Sequence, residues 1–187
     1  LGIYNAGMAI GGSTGLFMGA ALAPEIGWRG VFWIAGGPSL LLAATVAFIA
    51  APTRLPRAQA RPARAYILAP TFLMTALGGI LVTFAASGLL FWARWLIIDE
   101  RGFSAVGGGI LMGSIGIFCG IGGVVVGGLL GDRIAARRPG GHALVVGLSL
   151  LVAVPVGIGC LVVQNKPLFA FFTAAIVFFL SMYNGPA

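Results

Sequence analysis

The stretch Gly11-Gly12-Ser13-Thr14-Gly15 has the G-x-S-x-G spacing with which hydrolases present a nucleophilic serine on a tight strand-to-helix turn. That chemistry needs a histidine and an acid beside the serine. The single histidine is His142, and the four acids, Glu25, Asp99, Glu100 and Asp132, all stand at the ends of apolar segments. The serine itself lies inside an uncharged, glycine-rich run, so no catalytic residues are expected and an enzyme is disfavoured. Cys119 and Cys160 are isolated in apolar surroundings and form neither a CxxC pair nor a zinc-ligand spacing, so neither a metal nor a cofactor is expected. Two charges remain of interest: Arg94, the only charge within an apolar span, in "GLLFWARWLIIDE", and Asp132, in "GGLLGDRIAARR".

The elements that must carry these residues follow from composition. The chain of 187 residues is 59% hydrophobic and 8% charged, against about 25% charged residues in an ordinary globular protein. Its net charge of +7 comes without the basic stripe and exposed aromatics of a nucleic-acid binder, so no nucleic-acid partner is expected. A spanning helix needs roughly 20 apolar residues. Six segments qualify: 1–23, 30–51, 67–98, 103–130, 143–163 and 168–187. The runs are continuous rather than alternating, which disfavours strands. Pro38 and Pro155 fall within spans, where a kink rather than a break is expected. The chain starts at Leu1 without a signal-peptide pattern and stops in an apolar run, and reads as a piece of a longer protein.

The connections carry the charge. Arg54, Arg57, Arg61 and Arg64 lie between the second and third spans, and Arg133, Arg137 and Arg138 between the fourth and fifth. Both connections are expected on the cytoplasmic side. The short connections holding Glu25 with Arg29, Asp99 and Glu100 with Arg101, and Lys166 are then outside, and the alternation is consistent across all six spans. The proline- and arginine-rich stretch 52–66 is the one candidate boundary, separating 1–51 from 67–187.

Glycine is distributed unevenly. The first span has Gly7, Gly11, Gly15 and Gly19 four residues apart, and the fourth has eleven glycines between Gly107 and Gly131. A helical glycine costs about 1 kcal/mol against alanine, and lipid supplies no hydrophobic drive between helices. These faces are therefore expected to pack closely, and on each other.

"GGLLGDRIAARR" resembles the loop signature of the major facilitator superfamily, with Gly128, Leu130, Asp132 and Arg133 matching in place. The family's second glycine is Ala135 here, and Arg137 and Arg138 come one residue late. The ladder of the first span followed by "GWRGVFWIAGGPSLLL" is similar to the family's fifth helix, with its antiporter-type glycine motif, and its sixth, although the proline usual in that motif is missing. The order of the two signatures implies helices five to ten of twelve, with 52–66 bridging the two bundles. "FWARWLIIDERGFS", the glycine-rich span after it and "GGLLGDRIAARR" together resemble the spinster-like branch, carriers of lipids and lysolipids.

The resemblance implies an all-α membrane protein of six transmembrane helices within a twelve-helix major facilitator fold. It further implies secondary transport by alternating access of a small or amphiphilic organic substrate, lipid-like and anionic in one reading. A drug or organic-anion exporter of another branch, or a non-transporting membrane scaffold, are the alternatives. Gly128, Asp132, Arg133 and Arg137 would form the conformational switch loop. Arg94, Ser87 and Thr83 share one helical stripe and would line the substrate pathway, Arg94 holding an anionic headgroup, while Gly7, Gly11, Gly15 and Gly19 would be the packing glycines. The partners expected are the substrate and membrane lipids. If protons couple transport, their carboxylate lies outside this chain, because no span contains an acid. The full-length protein is expected to be a monomer, multi-pass in a bacterial inner (plasma) membrane.

Overall fold

A computed structural model describes residues 2–48 and 69–185. The linker 52–66 lies outside the described residues, and with it the boundary expected there. Five helices make up the described chain: α1 (Gly2–Ala47), α2 (Pro70–Trp95), α3 (Ala105–Ala135), α4 (Gly141–Val162) and α5 (Lys166–Met182). The fold is all-helical over the described residues. By length and composition Ile10–Val46, Pro70–Glu100, Ala105–Ala135 and Gly141–Val162 are each able to cross a membrane, and Lys166–Met182 is a shorter apolar helix. Large apolar side chains stand exposed along them, among them Trp33, Phe84 and Phe118, as a lipid-facing surface requires.

The first two expected spans form one element with a single interruption. Gly27 adopts φ 72°, ψ 162°, outside the helical region, and divides α1 into two limbs. Only glycine takes that conformation without strain, so a one-residue kink stands where a loop was expected. Glu25 and Arg29 beside it are exposed, and Arg29 lies over the Trp28 ring at 4.9 Å. Both helices run on through Pro38 and Pro155.

The chain divides into two compact units, Gly36–Trp95, and Leu1–Ala35 with Leu96–Ala187. The first consists of the end of α1 and of α2, where Ala93 is buried and most other side chains are exposed. In the second, α3 is the central element. α4 packs antiparallel to α5 through Gly157 against Ile176, Gly159 against Phe172, and Cys160 Sγ 3.4 Å from Thr173 Oγ1. α3 starts from an N-cap in which Ser104 Oγ accepts the Gly107 N–H at 2.9 Å, satisfying one donor that the first turn leaves free.

The turns put the two loop charges at opposite ends of this unit. The 101–104 connection touches the 163–166 connection, Lys166 Nζ donating to the Gly102 carbonyl at 2.8 Å. The turn after Asp132 is at the far ends of α3 and α4, so the helices alternate in direction as the loop charges require. In the full-length protein Asn165→Cys is expected to react with a membrane-impermeant thiol reagent in intact cells, and Arg138→Cys only after the membrane is opened. The reverse pattern overturns the assignment of inside and outside.

Candidate functional site

α3 carries a glycine stripe along one face. Gly109, Gly113, Gly116, Gly123 and Gly127 fall within a narrow arc at about 100° per residue. Toward the N-terminal end of α3 the stripe receives α1. A Cβ at Gly109 would strike Ala20 Cβ, one at Gly113 would lie 2.7–2.8 Å from the backbone and Cβ of Phe17, and one at Gly116 would strike Ser13 Oγ. Toward the C-terminal end it receives α5. A Cβ at Gly123 would strike the Phe178 carbonyl oxygen, and one at Gly127 the Met182 carbonyl oxygen. At Gly113, Gly123 and Gly127 the neighbouring backbone occupies the Cβ position, and at Gly109 and Gly116 the side chains of Ala20 and Ser13 do.

α1 and α3 therefore meet, but through Ser13, Phe17 and Ala20. Gly7, Gly11, Gly15 and Gly19 have no described atom within 4 Å of a built Cβ. By helical rotation they lie on the side of α1 opposite Ser13, Phe17 and Ala20. Ser13, the residue of the hydrolase-like pentapeptide, is thus a packing side chain set against Gly116, in a helix rather than a strand-to-helix turn.

At the signature loop, Gly128 lies within α3, and its built Cβ would stand 3.4 Å from the Gly185 carbonyl oxygen. Asp132 and Arg133 are exposed in the last turn of α3, and Arg137 and Arg138 are exposed in the turn beyond it. The N–H groups of Arg137 and Arg138 both donate to the Ile134 carbonyl, at 3.0 and 2.9 Å. No described residue pairs with the Asp132 carboxylate. The reversal into α4 uses a different glycine pair from the family's. Gly140 takes φ 82°, and the buried Gly141 lies so close to Ala135 that a Cβ would strike its backbone nitrogen. Ala135 at the family's glycine position is accommodated because the turn falls five residues later.

Thr83, Ser87 and Arg94 are all exposed on α2, and Arg94 stands in its last turn. Arg94 has no hydrogen bond or ion pair with a described residue. Trp92 points to the other side of the helix and stacks edge-on with Phe91 and Trp95, at centroid distances of 5.7 and 6.3 Å.

The structure singles out Arg101, which the sequence placed among the outside loop charges. It is 6% exposed. After Trp95 the helix widens into a π-helical turn over Leu96–Glu100, with the Arg101 N–H bonded to the Leu96 carbonyl at 3.0 Å. Gly102, at φ 63°, closes the end, and the Phe103 N–H returns to Ile97. A π turn takes up one extra residue and so rotates the residues after it by about 100° relative to an α-helix. Asp99 and Glu100 stay exposed while Arg101 turns inward. Its guanidinium donates to the Leu161 carbonyl at 2.6 Å, to that of Cys160 at 3.5 Å and to Gln164 Oε1 at 3.1 Å. Its Cζ lies 5.3 Å from the Phe169 ring centroid. The two carbonyls belong to the last turn of α4, which has no intrahelical donors for them, and a cation there meets the negative end of the helix dipole. Lys166 makes the reciprocal tie to Gly102 and lies 5.2 Å from the Phe103 ring centroid. The rings of Phe103 and Phe169 are 6.2 Å apart. Two cations and two aromatic rings thus bind two connections together at one end of the bundle.

The profile of the Major Facilitator Superfamily matches residues 1–187. Over 198 aligned residues the chain is 27% identical to an "MFS-type efflux pump" of Mycolicibacterium smegmatis, with 100% of this chain and 45% of the relative covered. The chain thus spans about half the length of the curated relative it matches. No solved structure matches it.

Proposed function

Because this chain belongs to the major facilitator superfamily, we propose that it forms part of a secondary transporter that moves an amphiphilic organic substrate by alternating access. The observation that carries this reading is the family match along the whole chain. The geometry supports it. In lipid, close backbone approach of α3 to both α1 and α5 lets packed helices slide or rock without losing contact. Asp132, at the negative end of α3 and without a described partner, suits a residue that is satisfied in only one of two states. With Gly128, Arg133 and Arg137 it forms the switch loop of this reading. Residues 1–51 belong to one bundle and 67–187 to the other, as helices five to ten of twelve.

The substrate of this reading is an anionic, lipid-like molecule, and the branch is the spinster-like one. Arg94, Ser87 and Thr83 line its path, the guanidinium taking an anionic headgroup through paired hydrogen bonds. Coupling by protons, a monomeric full-length protein and a bacterial inner membrane complete the proposal. The name of the relative, an efflux pump, favours export as the direction.

The test is flux in proteoliposomes of the full-length protein, with a fluorescent lysophosphatidic acid and a cationic dye as the two probes, with and without a proton gradient. Protein-dependent, gradient-accelerated movement of the anionic probe is expected. Movement of the dye alone replaces this reading by a drug exporter, and movement of neither removes transport of these classes altogether.

A further inference from the structure

We propose that Arg101 is a positioning residue for transport, tying the connection between α2 and α3 to that between α4 and α5 so that α3, α4 and α5 move as one body at this end of the bundle. The inference rests on the transporter reading above.

A buried arginine is costly unless its donors are satisfied, and around Arg101 no carboxylate repays the cost. Its charge is matched instead by the carbonyl ends of α4 and by the Phe169 ring, while Nε is enclosed without a partner. The bonds join residues far apart in sequence, 101 to 160, 161 and 164, and Lys166 joins back to 102. Such ties stiffen only the segments they connect. At the opposite end the Asp132 turn has exposed charges and no comparable ties between its side chains. One end of the unit is therefore bound by side chains across two connections, whereas the other is held by backbone packing, the turn of Gly140 and Gly141 joining α3 to α4 and the glycine contacts of Gly127 and Gly128 joining α3 to Met182 and Gly185. When the bundle changes state, the bound end keeps its shape and carries three helices together. Loss of the guanidinium lets them move separately. That slows the concerted change of state and leaves the substrate contacts as they are, since no residue proposed to contact substrate belongs to the cluster.

The experiment uses the full-length protein in liposomes, with Cys119 and Cys160 replaced by alanine and spin labels at Ala105→Cys and Asn165→Cys, both exposed positions. The distance distribution between the labels and the transport kinetics are read on the same samples. The unaltered clamp is expected to give one narrow distribution with and without substrate. Arg101→Gln is expected to broaden it about twofold and to lower turnover on the order of tenfold at unchanged KM, corresponding to the loss of one charge-assisted hydrogen bond. Arg101→Lys, which keeps the charge but not the fork, is expected between the two. A narrow distribution in Arg101→Gln overturns the clamp. Broadening at unchanged turnover, or a raised KM at unchanged turnover, overturns its part in transport. Should Arg101→Gln fail to fold, Gln164→Ala carries the test, because it removes one tie and leaves the carbonyl bonds. Broadening with slower turnover supports the inference, and no change in either overturns it. If the unaltered protein moves no substrate, the transporter reading fails, and with it the inferred role, whereas the label distances still decide whether the tie exists.

Discussion

Gly127→Leu is expected to destabilise the fold by at least about 3 kcal/mol, the upper part of the range for overpacking a close contact. A Cβ at this position would strike the Met182 carbonyl oxygen and lie 2.9 Å from Met182 Cα. The obstructing atoms are backbone, so no rotamer change relieves the clash, and α5 must move away from α3 over several residues. Gly113→Leu meets the same obstacle on α1, where Phe17 N and Cα both lie 2.8 Å from the built Cβ. Gly15→Ala is the contrasting change, since no described atom lies within 4 Å of its Cβ. Alanine there even gains up to about 1 kcal/mol of helix propensity. Thermal unfolding of the full-length protein in detergent, followed by the fraction that stays monodisperse, measures all three. Equal stability of Gly127→Leu and the unaltered protein would show that α3 and α5 do not pack as described.

Arg94→Ala is expected to abolish transport of an anionic amphiphile while the amount of folded protein stays the same. The exposed guanidinium in the last turn of α2 shares its stripe with Thr83 and Ser87 and has no described partner to lose. Removing it therefore costs the fold little, and the cost falls on the ligand. Two charge-assisted hydrogen bonds to a phosphate are worth about 3 kcal/mol or more together, on the order of a hundredfold or more in transport efficiency. Arg94→Lys keeps the charge but not the planar fork, and an intermediate loss is expected. Rates measured across substrate concentrations separate binding from turnover. Unaltered affinity and rate in Arg94→Ala would make the residue an anchor at the membrane interface and remove the proposed headgroup site.

Much of the architecture is legible because membrane insertion imposes one-dimensional rules. A run of about 20 apolar residues and the basic balance of its flanks depend only on sequence, so the later four helices, the turn near Asp132 and the shared end of the Arg101 and Lys166 connections could be placed from residue order, whereas the first two spans, expected as separate, form one element interrupted at Gly27. The family signature was readable for the same reason, being a local pattern at one helix end. Glycine spacing indicated that α1 and α3 approach closely, yet not with which face. Both sides of α1 are small or apolar, and only the packed structure sets Ser13, Phe17 and Ala20 against α3 and turns Gly7, Gly11, Gly15 and Gly19 away. The turn at Gly140 and Gly141 was hidden because its tightness comes from the approach of Ala135. Arg101 was the largest omission. In sequence it comes after two acids at the end of a span and reads as one of three solvated charges. The π-helical turn over Leu96–Glu100 alone rotates it into the protein, and its partners, Cys160, Leu161, Gln164 and Phe169, are distant in sequence. Hydrophobic spans are decided by transfer of each segment into lipid, one segment at a time, whereas the direction of a single side chain depends on backbone hydrogen-bond register and on atoms brought near by folding.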